Sequence, residues 1–494
     1  MSSPLGPAYG AVASTPAQTT AFNEQSVAEP TPVIQLKFPY AINNELVNIF
    51  VNNGGTVSVV DDKAKITSGA LANSSARMAS VKPVNYESGQ GIKTLFTALF
   101  DPGVVGNDRI IGIGDSSDAL GFGFQGTSFG FFHYHDGSKE IQTLTITTAS
   151  TTDENVTITL NGVAKTDVVV TNSADIEQTA IEIAAADYSD VGKGWLAIRT
   201  GAEIQFISYD SVVNGGAFTL TATSAVGAFV QDVVGVESVV DFTPQTDWSG
   251  SKFLGSPFVL NTEKGNVFNT SFQWLGFGPI FGRVERKGDG VLVSAHTIDY
   301  LNENTKPSLS NPTLPLFALS ENTTNTTAVS VFTSSMAAFV EGKIADIGLP
   351  HADDHTITIG STAETHIITI RNKPVYSGKL NRVLTEVLDA SISADQNKSS
   401  VFRIYRNIDI TGGSWVDHDT LNSPIEVNKE ATIVAGTGDI VASRGLALVS
   451  DREIDLTKKV GKIKPGESVT ITNQPSSSSA GNTATATFNY LDLF

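Results

Sequence analysis

The run IIGIGDSSDALGFGFQGTSFGFFHYHDG, Ile110 to Gly137, constrains the fold more than any other stretch of the chain. Its apolar segments are each too short for a helix, and Gly, Asp and Ser separate them where tight turns need such residues. The pattern predicts consecutive β-strands, with Phe122, Phe124, Phe129 and Phe131 as sandwich packing. Its glycines then mark turns and close strand approaches.

The same texture recurs along most of the 494 residues, a length that suits about three domains. Only 17% of residues are charged, and Gly, Thr, Ser, Asn and Val recur throughout, as short strands and turns require. There is no cysteine, which excludes disulfides, thiolate nucleophiles, zinc-thiolate sites and iron–sulfur clusters. The net charge of −19 is spread along the chain, where it favours solubility and repels phosphate backbones. Nucleic acid is therefore not an expected partner. The first 30 residues lack the basic and apolar regions of a secretory signal. No apolar run approaches the roughly 20 residues of a membrane span.

Five segments follow from changes in pattern. Residues 1–32, small, polar and proline-punctuated, read as an extended N-terminal arm. Residues 33–140 and 241–345 share one strand-rich texture and read as a single β-sandwich interrupted by 141–240. In that insertion Asn161–Gly162 marks a tight hairpin. Asn172 or Ser173 caps a helix with Ile176, Ala180, Ile183 and Ala184 as its apolar stripe, before strands resume. Residues 346–474 read as a second sandwich, and 475–494 as a serine-rich linker with an apolar tail, Phe488, Tyr490, Leu491, Leu493 and Phe494, destined for burial. The fold class expected is all-β and multidomain with one small α+β insertion.

Chemistry is sparse. Gly112, Gly114 and Gly121 do not keep dinucleotide-loop spacing, and strand rather than helix follows them. His133 and His135 share a strand face and suit a metal, but no marker for a third ligand accompanies them. HADDH, His351 to His355, reads as a polar turn at a domain boundary. Its His351, Asp353, Asp354 and His355 are metal-ligand candidates. Neither a G-x-S-x-G elbow nor an H-E-x-x-H motif is present, and carboxylate pairs such as Asp115 with Asp118 or Glu263 with Glu285 could meet as in a glycosidase, but a chain with 51 carboxylates offers many such pairs. The expectation is no enzyme and no cofactor. Aromatic and polar side chains that suit sugar recognition are Phe131, His133, Tyr134, His135, Asp136 and Trp274, with Phe124 and Phe277 further aromatics. Aromatics alternating on a sandwich strand are otherwise core. Six sequons, at Asn73, Asn155, Asn269, Asn322, Asn325 and Asn397, are candidate glycosylation sites.

The runs RIIGIGDSSDALGFGFQGTSFGFFHYHDGSKEIQTLTI, TITLNGVAKTDVVVTNSADIEQTAIEIAAADYS and GWLAIRTGAEIQFISYD carry a resemblance, as do NVFNTSFQWLGFGPIFGRVERKGDGVLVSAHTIDYLNENTKPSLSNPTLPL and residues 364–423. Together they cover most of residues 95 to 425 and resemble structural proteins of large algal DNA viruses, including the surface glycoprotein and fibre or spike proteins, with modules similar to tailed-phage proteins. The resemblance implies a lectin-like jelly-roll sandwich and a virion component: fibre, spike, tail or capsid-associated protein. The all-β multidomain pattern, the arm, the apolar C-terminus and the sparse chemistry point to self-assembly into a homo-oligomer, and the resemblance leaves a trimer as one state open to it. Other virion proteins would be its partners; the alternative expectation is a glycan-binding adhesin that recognises host surface polysaccharide, and the third a polysaccharide-degrading enzyme.

Overall fold

The computed structural model describes residues 29–255, 258–342, 348–395, 399–447, 450–477 and 482–494. Most of the arm and the sequon at Asn397 lie outside these residues. The arm's last residues belong to a strand, Pro30–Lys37, paired with Ser335–Glu341.

Two sheets form the large sandwich. One, of nine strands, runs from Leu292–Ile298 through Ile280–Glu285, Asn266–Phe272 and Ile92–Phe100 to Ser330–Thr333, Lys63–Thr67 and Thr56–Val60, with Ser335–Glu341 also pairing Ile92–Phe100. The other, of seven strands, is ordered Val239–Pro244, Ser128–His135, Ala119–Gln125, Asn107–Gly114, Leu316–Asn322, Ser75–Ser80 and Val47–Asn52. Both sheets thus draw strands from before residue 141 and after residue 238. The chain leaves the sandwich after Ser128–His135 and returns as that strand's antiparallel neighbour, Val239 opposite His135.

Alternation explains the inner core. Ile92–Phe100 alternates buried and half-buried residues along its length, and Phe122 and Phe129 pack against Trp248 and Phe268, with Phe131 edge-on to Phe122. The seven-stranded sheet is different: Asn107–Gly114 and Ala119–Gln125 are buried on both faces. Ile110, Ala119, Phe132, Phe317 and Leu319 form a second apolar layer on its outer side. The inserted unit meets that side, with Tyr209 against Phe50 and Asp210 paired to Arg77 at 2.8 Å.

Close approach of these strands requires small residues. A Cβ on Gly123 would sit 1.8 Å from the Arg109 carbonyl oxygen, a backbone atom that cannot step aside. Gly123→Ala is expected to cost about 3 kcal/mol, the upper part of the usual overpacking range. A urea midpoint within error of wild type would refute this.

The insertion holds its own core of Leu144, Ile158, Val170, Ile183, Trp195 and Phe206. Asn161 and Gly162 both have positive φ, 51° and 79°, and join Glu154–Leu160 to Val163–Val170 as the hairpin predicted. The helix is Ile176–Ala184, capped not by Asn172 or Ser173 but by Asp175, whose carboxylate accepts from Glu177 N at 2.9 Å. Asp175 wins because its carboxylate reaches the free N–H two residues on. Of the predicted stripe, Ala180 and Ile183 are buried and Ile176 is exposed.

The second sandwich has five- and six-stranded sheets. The expected tail is no appendage: Asn482–Leu493 is a full strand between Leu349–Ile359 and Leu384–Asp395. Its alternate residues Ala484, Ala486, Phe488 and Tyr490 enter the core, while Phe494 stays exposed. Arg382 binds this sandwich to the first through Asp115 (3.0 Å), Asp118 (3.4 Å) and the Asn311 carbonyl (3.1 Å). Among the described residues no helix is long and apolar enough to cross a membrane.

Candidate functional site

The point where the chain leaves and re-enters the large sandwich also gathers its imidazoles. His133 and His135 lie on one face of Ser128–His135, their rings stacked at 4.7 Å. Asp241 is the direct cross-strand partner of His133 on the returning strand. Its Oδ2 is 3.1 Å from His135 Nε2 and 3.8 Å from His133 Nδ1. Asp136, at φ 60° in the turn, places its carboxylate 3.3 Å from His135 Nδ1 and 3.1 Å from Lys306.

The two histidines differ in environment. His133 is 1% exposed, and its Nε2 lies 2.6 Å from the Ser308 carbonyl. A carbonyl can only accept, so Nε2 carries the hydrogen and Nδ1 presents its lone pair toward Asp241. Burial, partly offset by the Ser308 contact, pulls His133 down to about 4, which keeps it neutral at ordinary pH. His135 is more open, yet its Nδ1 is buried without a hydrogen bond, because Asp136 is close but misaligned. Asp241 is 62% exposed and opens the cluster to solvent. Tyr300 stands edge-on to His133 at 6.0 Å with Phe277 beyond it, and loop residues Leu275 and Leu301 are exposed.

Three of the six sugar candidates, His133, His135 and Asp136, therefore converge. Phe131 does not: it is buried in the inner core and cannot reach a ligand. Phe124 is buried likewise. Tyr134 points to the opposite sheet face beside Phe132, where burial pushes its phenol up. Trp274 is half-buried against Tyr86, its indole N–H donating to Leu309 O at 3.1 Å, so it braces the loop that holds His133. Asp241 was not anticipated. It sits 106 residues beyond His135 in an unmarked VVDFTP strand, and only sheet pairing reveals it.

The HADDH segment is a strand, Leu349–Ile359, not a turn. Strand alternation puts His351, Asp353 and His355 on one face and leaves Asp354 exposed on the other, so the four do not form one cage. Instead His418 lies between Asp353 (Nδ1 to Oδ2, 2.7 Å) and His351 (Nε2 to Nδ1, 3.0 Å). The Tyr490 hydroxyl donates to Asp353 Oδ2 at 2.9 Å, and Asp492 approaches His351 Nε2 at 3.5 Å. The contacts run from residue to residue rather than converging on a point, and His351 Nε2 stays buried without a hydrogen bond.

Two sequons are corrected as well. Asn269 and Asn322 are fully buried, with amides spent on Thr94 O (2.6 Å) and Gly69 O (2.8 Å), so neither can carry a glycan in the folded chain. Asn73 and Asn155 are exposed, whereas Asn325 is half-buried and bonds Thr327 O at 2.6 Å. The carboxylates Asp115 and Asp118 are committed to Arg382.

His366 in the second sandwich is, like His133, pulled by burial down to about 4. An unfolded histidine titrates near 6.5, so this depressed group contributes stability above that pH, lost as pH falls toward 4. The difference corresponds to about 3 kcal/mol. The unfolding free energy should fall more steeply between pH 6.5 and 4 in wild type than in His366→Gln. Parallel curves would contradict the assignment.

No known protein family matches the chain, and no curated protein matches it. Among solved structures it is similar to arcelin-5, a lectin-like defence protein from Phaseolus vulgaris, at 8% identity and a TM-score of 0.22, covering 63% of this chain and 99% of that one. Similar values hold for the legume lectin-like domain from Entamoeba histolytica (11%, 0.22, 63% and 98%). Lectin I-B4 from Griffonia simplicifolia gives 12% and 0.23, with 63% and 100% coverage. Likeness at this level assigns this chain neither a ligand nor a site residue.

Proposed function

We propose that this chain is a non-catalytic carbohydrate-binding protein, displayed in the setting its sequence resemblance implies, the surface of a virus particle. The observation that carries the reading is the open end of the large sandwich, where Asp241, Asp136, His135 and Lys306 stand beside Phe277 and the loops bearing Leu275 and Leu301. Carboxylates accept from sugar hydroxyls, lysine donates to them, and an apolar rim covers the C–H face of a pyranose. On an array of algal and bacterial polysaccharides the full chain should bind, and Asp241→Ala should weaken that binding at least about tenfold, or about 1.4 kcal/mol. Silence of the wild-type chain across the array would overturn the reading.

A second reading, a self-assembling structural element, is favoured by two exposed sheet edges. Val226–Val233 ends the inserted sheet and Val239–Pro244 ends the seven-stranded sheet. Both display valines to solvent: Val226, Val230, Val239 and Val240. Unpaired edges with apolar side chains are templates for another copy. Sedimentation of an oligomer that Val230→Lys reduces to smaller species supports it. A wild-type monomer at every concentration counts against it.

A further inference from the structure

We infer that His133, His135 and Asp241 form a binding site for one divalent transition-metal ion of the zinc, cobalt or nickel class. The inference stands on the geometry of the cluster and does not depend on carbohydrate binding.

Spacing comes first. Tetrahedral ligands about 2.0–2.2 Å from a metal are about 3.4 Å from one another. Here Asp241 Oδ2 is 3.1 Å and 3.8 Å from the two imidazoles, and one donor atom from each residue lies within 4.8 Å of the others. Side-chain rotation of less than about 1 Å closes that set to bonding distance. The backbone need not move, because two of the residues are i and i+2 on one strand and the third is a cross-strand partner.

The outer contacts suit the same ion. Metal-bound histidines donate their second N–H to a carbonyl or carboxylate. His133 donates Nε2–H to Ser308 O, and His135 has Asp136 3.3 Å from its Nδ1. That Nδ1 is buried and without a hydrogen bond, a deficit that a slight turn of the ring toward a metal at Nε2 would correct by aligning Nδ1–H on Asp136. Two imidazoles and a carboxylate select borderline ions over calcium, which takes six to eight oxygens. With Asp241 open to solvent, the fourth position is left to water or a ligand oxygen.

The test uses the full chain, freed of metal by chelation and titrated with Co(II) alone, without sugar. Expected are one bound equivalent with the visible bands of a tetrahedral site, displacement by Zn(II) but not Ca(II), and at least about tenfold weaker binding in Asp241→Asn and His135→Gln, the scale of losses seen even for outer-shell partners. Asp241 is exposed, so its replacement leaves the core intact, which circular dichroism verifies. His351→Gln, at the other imidazole pair, should bind as wild type does. The inference fails if no equivalent binds, if calcium displaces the ion, if Asp241→Asn binds undiminished, or if His351→Gln abolishes binding. A silent glycan array leaves each of these readouts unchanged, so the two proposals fail separately.

Discussion

A chain that stops at Ala484 is expected to lose its second sandwich while residues 29–342 stay folded. The missing residues are most of a strand that pairs on both sides, from Leu349 opposite Asp492 to Ile359 opposite Asn482, and along Leu384–Asp395 on its other edge. Their removal strips both neighbours of their shared partner and takes Phe488 and Tyr490 from the core. Each such aromatic is worth about 3–5 kcal/mol, against a whole-domain stability of about 5–15 kcal/mol. The truncation also removes Asp492 and the Tyr490 hydroxyl, leaving Thr385 and Ser423 without their acceptor and Asp353 without one of its donors. Limited proteolysis should digest 348–477 and spare the first sandwich. A truncated chain with native near-ultraviolet dichroism and one unfolding transition would defeat the expectation. Losing these residues is thus a folding defect first, so any effect on assembly through this segment cannot be read from its deletion.

Arg382→Ala is expected to cost about 3–5 kcal/mol, the range for breaking a buried ion pair from one side. Arg382 meets both oxygens of Asp115, at 3.1 and 3.0 Å, and also Asp118. Burial pushes the Asp115 carboxyl up, but Arg382, Lys139 and the N–H groups of Ser117 and Asp118 together pull it well below the usual range. At Asp118 burial wins and the carboxyl rises to about 6 despite Arg382. Removing the guanidinium leaves two carboxylates with Lys139 as the nearest cation, 3.3 Å from Asp115. Because the residue joins the two sandwiches, calorimetry should show the second sandwich melting earlier, as a separate transition. A single transition at the wild-type temperature would show the latch to be dispensable. Arg199, which reaches Asp409 at 3.1 Å from the inserted unit, is a separate tie and should keep that contact.

Much of the architecture was legible because it is local. Alternation and turn residues expose the strands around Ile110–Gly137, and Asn161–Gly162 announces its hairpin. A shared texture on either side of 141–240 reflects strands that do interleave in the same two sheets. What escaped depends on partners distant in the chain. Small polar residues before Asn482 read as a linker, although the following TATATFNY alternates as a strand should. HADDH imitates a turn in composition, yet its His-x-Asp-x-His alternation is a strand pattern whose polar face meets His418 and Tyr490. For the site, i and i+2 spacing was enough to bring His133 and His135 together, but Asp241 joins them only through a sheet pairing that spans the whole insertion.

The antiparallel pairing of Ser128–His135 with Val239–Pro244 has a consequence for how this chain can be rebuilt. The inserted unit departs and rejoins through neighbouring strands, which are spaced about 4.8 Å apart. Any foreign domain with adjoining termini therefore fits the same graft point without stretching the host sandwich. The graft has a condition: Phe50, Arg77 and Glu321, which now meet Tyr209, Asp210 and Lys193 of the inserted unit, and Asp409, which meets Arg199, must find new partners.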